Sequence, residues 1–496
     1  MNNSLSYWQS NLLALLAGAI TVLSFSPFGI WPLAIPTLAV LFFLFVTGER
    51  KTATANGFCF GLGLFGAGVS WVFNSIYEFG QAPIAFAVFL TVLFVLVLTL
   101  FPAAVGFFSK YWRGAHHRLY LMLVLPALWV VAEWIRGWIL TGFPWLQLGY
   151  GQISSPLSGI APFFGVLGVS WVVALCAGSL ASVLLFGRSA IKGAGINLVL
   201  IIGLSFLLSL IDLTKVEGDT KKITLVQGNI AQENKWEADW LGPTIDRYVE
   251  QTRANWASDI IIWPEVALPG YYRQFEQTIL KPLMAEAVSN DTSIVSGMLT
   301  TDGEVAWNSV VKFGQSPEIY RKRHLVPFGE YLPLRGFFEL FGELVVLPAG
   351  TMRPGNEANI IEVDGVRIAT SICYEDAYGN EMADMLPDAN LLLNVSNDAW
   401  FGDSLAPHQH LQIAQMRSLE LGREMVRANN TGVTAFISHR GKLLSEAPQF
   451  EVTSITANAQ PRTGKTPYTV WKNWGVIVLM SLLLVFATYL QRKSDS

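Results

Sequence analysis

The stretch Val366-Arg367-Ile368-Ala369-Thr370-Ser371-Ile372-Cys373-Tyr374-Glu375-Asp376 decides how the charged part of this chain folds. Its first seven residues are mostly apolar and partly β-branched, the composition of a buried strand. They run directly into a cysteine and two acids, a turn that opens toward a helix. Runs of the same kind recur at 223–226, 259–263, 292–298 and 391–395, and 434–438 can join them. Helical patterns lie between several of these strands, at 242–257, at 280–290 and, longest, at 408–427. Buried strands alternating with helices predict one layered α/β domain.

Outside that block the composition changes. The chain has 496 residues, is 52% hydrophobic and only 14% charged, and its mean hydropathy is +0.41. Ordinary soluble chains carry about 25% charged residues. Residues 213–472 hold 23 Lys+Arg and 32 Asp+Glu, whereas the other 236 residues hold 10 and 5. So few charges exclude a wholly soluble protein. Eight apolar runs approach the length of about 20 residues that a bilayer needs. They lie at 9–26, 30–47, 55–76, 84–108, 119–137, 160–186, 194–212 and 473–490. The expectation is a seven-helix membrane region over 1–212, a water-soluble domain over 213–472, and an eighth span with a short tail over 473–496.

Charge in the short loops sets the orientation. Arg50, Lys51, Lys110, Arg113, Arg118, Arg188, Lys192, Arg492 and Lys493 fall on one side, and the opposite loops near 26–30, 77–83 and 138–159 hold no Lys or Arg. Basic residues concentrate in cytoplasmic loops. Both termini are therefore expected in the cytoplasm, with 213–472 on the outer, periplasmic face of a bacterial inner membrane.

The outward domain holds one cysteine, Cys373. Cys59 and Cys176 lie in apolar runs and read as small buried hydrophobes. An unpaired thiol in an oxidising compartment, set at a strand-to-helix turn, is a candidate nucleophile; an inert core thiol is the alternative. His324, His408, His410 and His439 lack the flanks of a protease dyad. Two histidines spaced by two, with no cysteine near, make a weak zinc signal, so no metal is expected. Glu265, in Trp263-Pro264-Glu265, ends an apolar strand where a partly desolvated carboxylate suits a general base; a surface acid is the alternative. Lys322 lies in the run from Tyr320 to Glu330. Three consecutive basic residues usually form a solvated face, yet one lysine fixed beside a thiolate and an oxyanion would favour both charges. Within the apolar runs Glu133 and Arg136 form the one close charged pair, suited to pairing on a helix face or to a lipid headgroup. A transporter would place such charges at broken helices deep in the membrane.

Trp263-Pro264-Glu265, then Lys322 before His324-Leu325-Val326-Pro327-Phe328-Gly329-Glu330, then Cys373 before Tyr374-Glu375-Asp376 resemble, in this order, the nitrilase or carbon–nitrogen hydrolase superfamily. With eight apolar runs around them, the chain is similar to the apolipoprotein N-acyltransferase family over essentially its whole length. Thr141-Gly142-Phe143-Pro144-Trp145, Gln227-Gly228-Asn229-Ile230 with Trp236, and Asn397-Asp398-Ala399-Trp400-Phe401-Gly402 carry the same resemblance. It implies an αββα sandwich and a two-step acyl transfer without cofactor or metal. Glu265 would be the base, Cys373 the nucleophile and Lys322 the oxyanion stabiliser. Glu330 and Glu375 would orient Lys322 and the Cys373 turn, with Tyr374 and Trp236 near the site. The implied donor is a phospholipid, typically phosphatidylethanolamine, and the acceptor is the α-amine of an apolipoprotein's diacylglyceryl-cysteine. Phe143 and Trp145, with Trp31, suit an interfacial lipid entrance, an ordinary aromatic belt being the alternative. A membrane-tethered amidase acting on a small substrate would share the triad.

Overall fold

The computed structural model describes residues 5–80, 82–112, 117–331 and 352–495; Arg113, among the expected cytoplasmic basic residues, lies outside them. The chain divides into two compact units. One comprises Met1–Phe73, Ala85–Asp212 and Trp471–Ser496, the other Asn74–Ile84 and Leu213–Val470. The segment Asn74–Ile84 thus leaves the expected 1–212 region. Its attachment is polar: Asn74 Nδ2 donates to the Phe401 carbonyl at 3.2 Å and Ser75 Oγ to the Trp400 carbonyl at 2.7 Å.

Five described helices are long and apolar enough to cross a membrane: Ile84–Trp112, His117–Arg136, Pro156–Phe186, Arg188–Ser209 and Pro467–Lys493. A sixth counts if Arg50–Gly68 and Val72–Glu78 form one bent span. Trp31–Thr47 is apolar but shorter, and Tyr7–Thr21 has 15 residues. Close helix contact here depends on missing side chains, as is usual where lipid removes the hydrophobic drive. A Cβ on Gly18 would stand 2.0 Å from the Phe60 carbonyl oxygen, and one on Gly63 would stand 2.0 Å from that of Leu15. The helices Tyr7–Thr21 and Arg50–Gly68 therefore touch backbone to backbone.

The second unit is built on two six-stranded mixed sheets. In chain order the strands are β1 (Thr214–Val216), β2 (Lys221–Gln227), β3 (Ile260–Trp263), β4 (Ser293–Thr301), β5 (Ala306–Lys312), β6 (Glu318–Arg321), β7 (Ile360–Val363), β8 (Val366–Ile372), β9 (Leu391–Ser396), β10 (Met425–Asn429), β11 (Ala435–Ile437), β12 (Leu443–Glu446), β13 (Thr453–Ala459) and β14 (Arg462–Gly464). One sheet runs β13-β2-β3-β4-β5-β6, the other β12-β11-β10-β9-β8-β7, and β1 pairs with β14. Each large sheet has three parallel strands at its centre, β2-β3-β4 and β8-β9-β10, with antiparallel strands outside. Helix α1 (Ala238–Arg253) connects β2 to β3, α2 (Lys281–Ser289) precedes β4, and α3 (Ala406–Leu421) connects β9 to β10.

All four β3 residues are fully buried, because both faces of the strand are covered. Ile261 and Trp263 join Tyr248 and Leu283 in a cluster under the helices, against which Leu241, Ile245 and Val249 of α1 pack. The alternate residues Ile260 and Ile262 face the other way and are equally buried. A layer of helices, a buried sheet and further buried β structure behind it give the expected α/β layering.

The 408–427 helix expectation needs correction. Helix α3 stops at Leu421, where Gly422 takes a left-handed φ of 62° and caps it, and Met425 and Arg427 belong to β10. A glycine in that conformation terminates a helix whatever apolar residues follow. The Gly63 contact is testable by melting the detergent-solubilised protein. Gly63→Ala should lower the melting temperature, since overpacking costs about 1–3 kcal/mol. Gly66→Ala, with nothing within 4 Å of its Cβ, should leave it unchanged or raise it.

Candidate active site

Chain direction brings the candidate residues to strand ends. Glu265 follows β3 after Pro264, Lys322 follows β6, and Cys373 follows β8. Of the basic run Arg321-Lys322-Arg323 only Lys322 is buried, 1% exposed. Extended backbone sends alternate side chains to opposite faces. The Arg321 guanidinium lies over the Trp307 ring at 4.1 Å, and Arg323 pairs with Asp384 at 3.6 Å. Lys322 backbone groups extend the sheet, its N–H donating to Asn308 O at 2.8 Å.

The Lys322 ammonium is met by two carboxylates. Nζ lies 3.0 Å from Glu330 Oε1 and 3.7 Å from Glu265 Oε1. Asn308 Nδ2 bridges the same two oxygens, donating to Glu265 Oε1 at 2.7 Å and to Glu330 Oε1 at 2.8 Å. The second Glu330 oxygen accepts from Val326 N at 2.7 Å. Burial opposes the lysine charge, yet Glu330, Glu265, Cys373 and Glu375 outweigh it and hold the ammonium above the ordinary lysine range. Lys322 is a fixed cation.

Cys373 has φ 54°, a left-handed conformation that a side chain rarely adopts and that a surrounding structure must impose. What imposes it is a set of bonds around the turn. Its carbonyl accepts from Asn394 Nδ2 at 2.9 Å and from His410 Nε2 at 3.2 Å. Glu375 clamps the other side, accepting from Ile372 N at 2.7 Å, Arg323 N at 2.7 Å, His324 N at 3.0 Å and the Tyr320 hydroxyl at 3.1 Å. Burial pushes the Glu375 carboxyl up to about 7, while Lys322 and the three backbone donors pull it toward the charged form.

Burial also raises the Cys373 thiol well above its usual range, and Glu265 adds to the rise while Lys322 opposes it. The expectation that Lys322 favours the thiolate holds in direction, but desolvation wins. Of the charged groups around it, Glu265 bears most on the sulfur.

Behind the Cys373 turn lies a second buried network. His410 faces Asp398 Oδ1 through Nδ1 at 2.9 Å and Asp376 Oδ1 through Nε2 at 3.0 Å, and Arg427 donates to Asp398 Oδ2 at 3.0 Å and Asp376 Oδ2 at 3.3 Å. Burial and Arg427 press the imidazole down, but the two aspartates outweigh them and raise it to about 9. The pair of histidines read as a weak metal signal splits: His410 belongs to this network, and His408 Nε2 sits 3.1 Å from Gln449. Among the described residues no group of three or more potential ligands could hold a metal.

Other expected site residues are placed less centrally. The Tyr374 hydroxyl donates to Leu325 O at 3.0 Å and its ring centroid is 5.9 Å from Lys322 Nζ. Trp236 is 56% exposed. Phe143 and Trp145 belong to the first unit, where their rings stack at 5.7 Å and Trp145 is 2% exposed. Arg136 Nη1 donates to the carbonyls of Phe143, at 2.8 Å, and Trp145, and Glu133 Oε1 accepts from Leu148 N at 2.9 Å. The charged pair of that helix thus binds the loop that carries these rings. Sequence reading missed Asn308 and Lys235; each is one polar residue in an unremarkable setting, with no spacing to mark it.

Comparison with known proteins places these features in a family. Residues 17–179 match the model of the apolipoprotein N-acyltransferase N-terminal domain, and residues 222–468 match that of carbon-nitrogen hydrolase. The apolipoprotein N-acyltransferase of Methylococcus capsulatus is 41% identical over 98% of this chain and 97% of its own. Those of Nitrosomonas europaea and Coxiella burnetii are 40% and 39% identical, over 94% and 96% of this chain and 95% and 100% of theirs. The chain belongs to the apolipoprotein N-acyltransferase family, within the carbon–nitrogen hydrolase superfamily.

Proposed function

We propose that this membrane enzyme moves a fatty acyl chain from a phospholipid, phosphatidylethanolamine being the favoured donor, to the α-amine of the diacylglyceryl-cysteine of an apolipoprotein. The observation that carries the reading is the convergence of Glu265, Lys322 and the left-handed Cys373 at strand ends of one unit. In the first half-reaction Glu265 takes the thiol proton as Cys373 Sγ attacks the donor ester carbonyl. Lys322 balances the oxyanion, and the lysophospholipid leaves with the proton that Glu265 returns. In the second, the acceptor amine attacks the thioester, Glu265 takes a proton from nitrogen, and Cys373 departs as the thiol. A covalent intermediate makes the kinetics ping-pong. Glu330 orients Lys322, Glu375 orients the nucleophile turn, and Tyr374 and Trp236 border the site.

The location follows the same reading. Eight apolar segments with basic loops on one side support an inner-membrane protein whose termini are cytoplasmic and whose catalytic domain, 213–472, is periplasmic. Phe143 and Trp145 are suited to the region where lipid enters. A transferase working on two acylated substrates has reason to be held at a bilayer, whereas an amidase for a small polar substrate has none.

Mass spectrometry of the purified protein after exposure to phosphatidylethanolamine should find an acyl group on Cys373. Addition of a diacylated peptide should then yield N-acylated peptide. Free fatty acid without N-acylated peptide would favour the amidase. Cys373→Ala should fold yet form neither thioester nor product.

Glu265→Gln and Lys322→Ala should each lower transfer by about 100-fold or more. Alkylation by iodoacetamide should report the activation of the thiol. At pH 8 Cys373 of wild type should alkylate faster than in either variant, because Glu265→Gln lacks the base that takes the proton and Lys322→Ala lacks the cation that opposes the rise of the thiol. Equal alkylation of all three proteins would contradict an activated thiol.

A further inference from the structure

Lys235 lies between β2 and α1, next to the exposed Trp236, yet it is itself buried, 4% exposed. Its Nζ donates to the backbone carbonyl of Glu265 at 3.2 Å, its one hydrogen bond among the described residues. Lysines are almost never fully buried unless paired, and the anion that favours this ammonium is Glu265. Burial nevertheless pushes Lys235 down to about 8.

The turn it touches needs holding. Val266, directly after Glu265, has φ 44°, a strained conformation for a β-branched residue. On one side this turn presses against β4: a Cβ on Gly297 would stand 2.5 Å from Glu265 Cα, and Ala267 N donates to Gly297 O at 3.0 Å. Lys235 holds the carbonyl. Lys322, the other cation at Glu265, is nearer to Glu330 than to Glu265.

We propose that Lys235 is a positioning residue for Glu265: its ammonium fixes the strained Glu265–Val266 turn and so keeps the carboxylate directed at the Cys373 thiol. This rests on Glu265 being the base. No bond to Lys235 forms or breaks during the reaction, and its charge is what matters. Among the described residues the charge that bears on it is Glu265, with Lys322 and Glu330 beyond the carboxylate.

The test measures thioester formation from phosphatidylethanolamine by full-length wild type, Lys235→Met and Lys235→Arg between pH 6 and 10. Because Lys235 is cationic below about 8, the wild-type rate should fall as pH rises through that value. Lys235→Met should be about 10- to 100-fold slower at pH 7, the scale of a misplaced catalytic group. Its donor KM should stay within about threefold of wild type and the alkaline fall should vanish, since only the placement of the base has changed. Lys235→Arg, charged throughout, should restore most of the rate and move the fall to higher pH. A Lys235→Met rate equal to wild type would overturn the assignment, as would a slower rate with an unchanged pH profile. Should Lys235→Met not accumulate, an arginine variant whose rate still falls near pH 8 overturns it. Wild type that forms no thioester would overturn the Glu265 reading and this one together; a wild-type thioester with an indifferent Lys235→Met overturns this one alone.

Discussion

A buried ammonium shared by two carboxylates is the constraint around which the catalytic unit is arranged. Desolvating an ion costs several kcal/mol, about, even after relaxation, and a buried pair recovers that only when its geometry is fixed and its remaining valences are filled. Lys322 meets the condition because each acid is itself held. Asn308 grips both Glu265 and Glu330, and Val326 N takes the second Glu330 oxygen. Those holders come from β5 and from the segment after β6, so the sheet edge is where the charge balance is set.

Cys373 lies between this cluster and a second balanced one. Asp376 and Asp398 face His410 and Arg427, all fully buried, and the same His410 holds the Cys373 carbonyl. Burial pushes the thiol toward its protonated form, and Glu265 and Asp398 add to that while Lys322 opposes it. Under the proposed mechanism, reactivity is supplied on demand, by proton transfer to Glu265, rather than stored in a reactive anion. In an oxidising environment a protonated thiol is also the less easily oxidised form.

Much of this was legible in the residues themselves. Strand β8 has the limits its apolar run predicted, since the turn at Asp364-Gly365 and the break at Cys373 bound it on both sides. Glu265, Lys322 and Cys373 stood out by their order along the chain, and each follows a strand in the structure. The α3 helix overran because its apolar spacing continues into β10, and only the left-handed Gly422 ends it. Asn308 and Lys235 were silent for another reason. A bridging amide or a buried ammonium depends on which strands become neighbours, and spacing along the chain does not report that. The Tyr7–Thr21 helix is shorter than its apolar run because hydropathy counts residues, while the backbone turns into 3-10 geometry at Val22.

The attachment of Asn74 and Ser75 has a consequence for sequence change. Both side chains bind main-chain carbonyls, those of Phe401 and Trp400, and not the aromatic rings. These two bonds therefore ask nothing of the side chains at 400 and 401, since any residue there offers a carbonyl. At 74 and 75 they ask for a side chain that can donate, so the two halves of this contact constrain the sequence unequally.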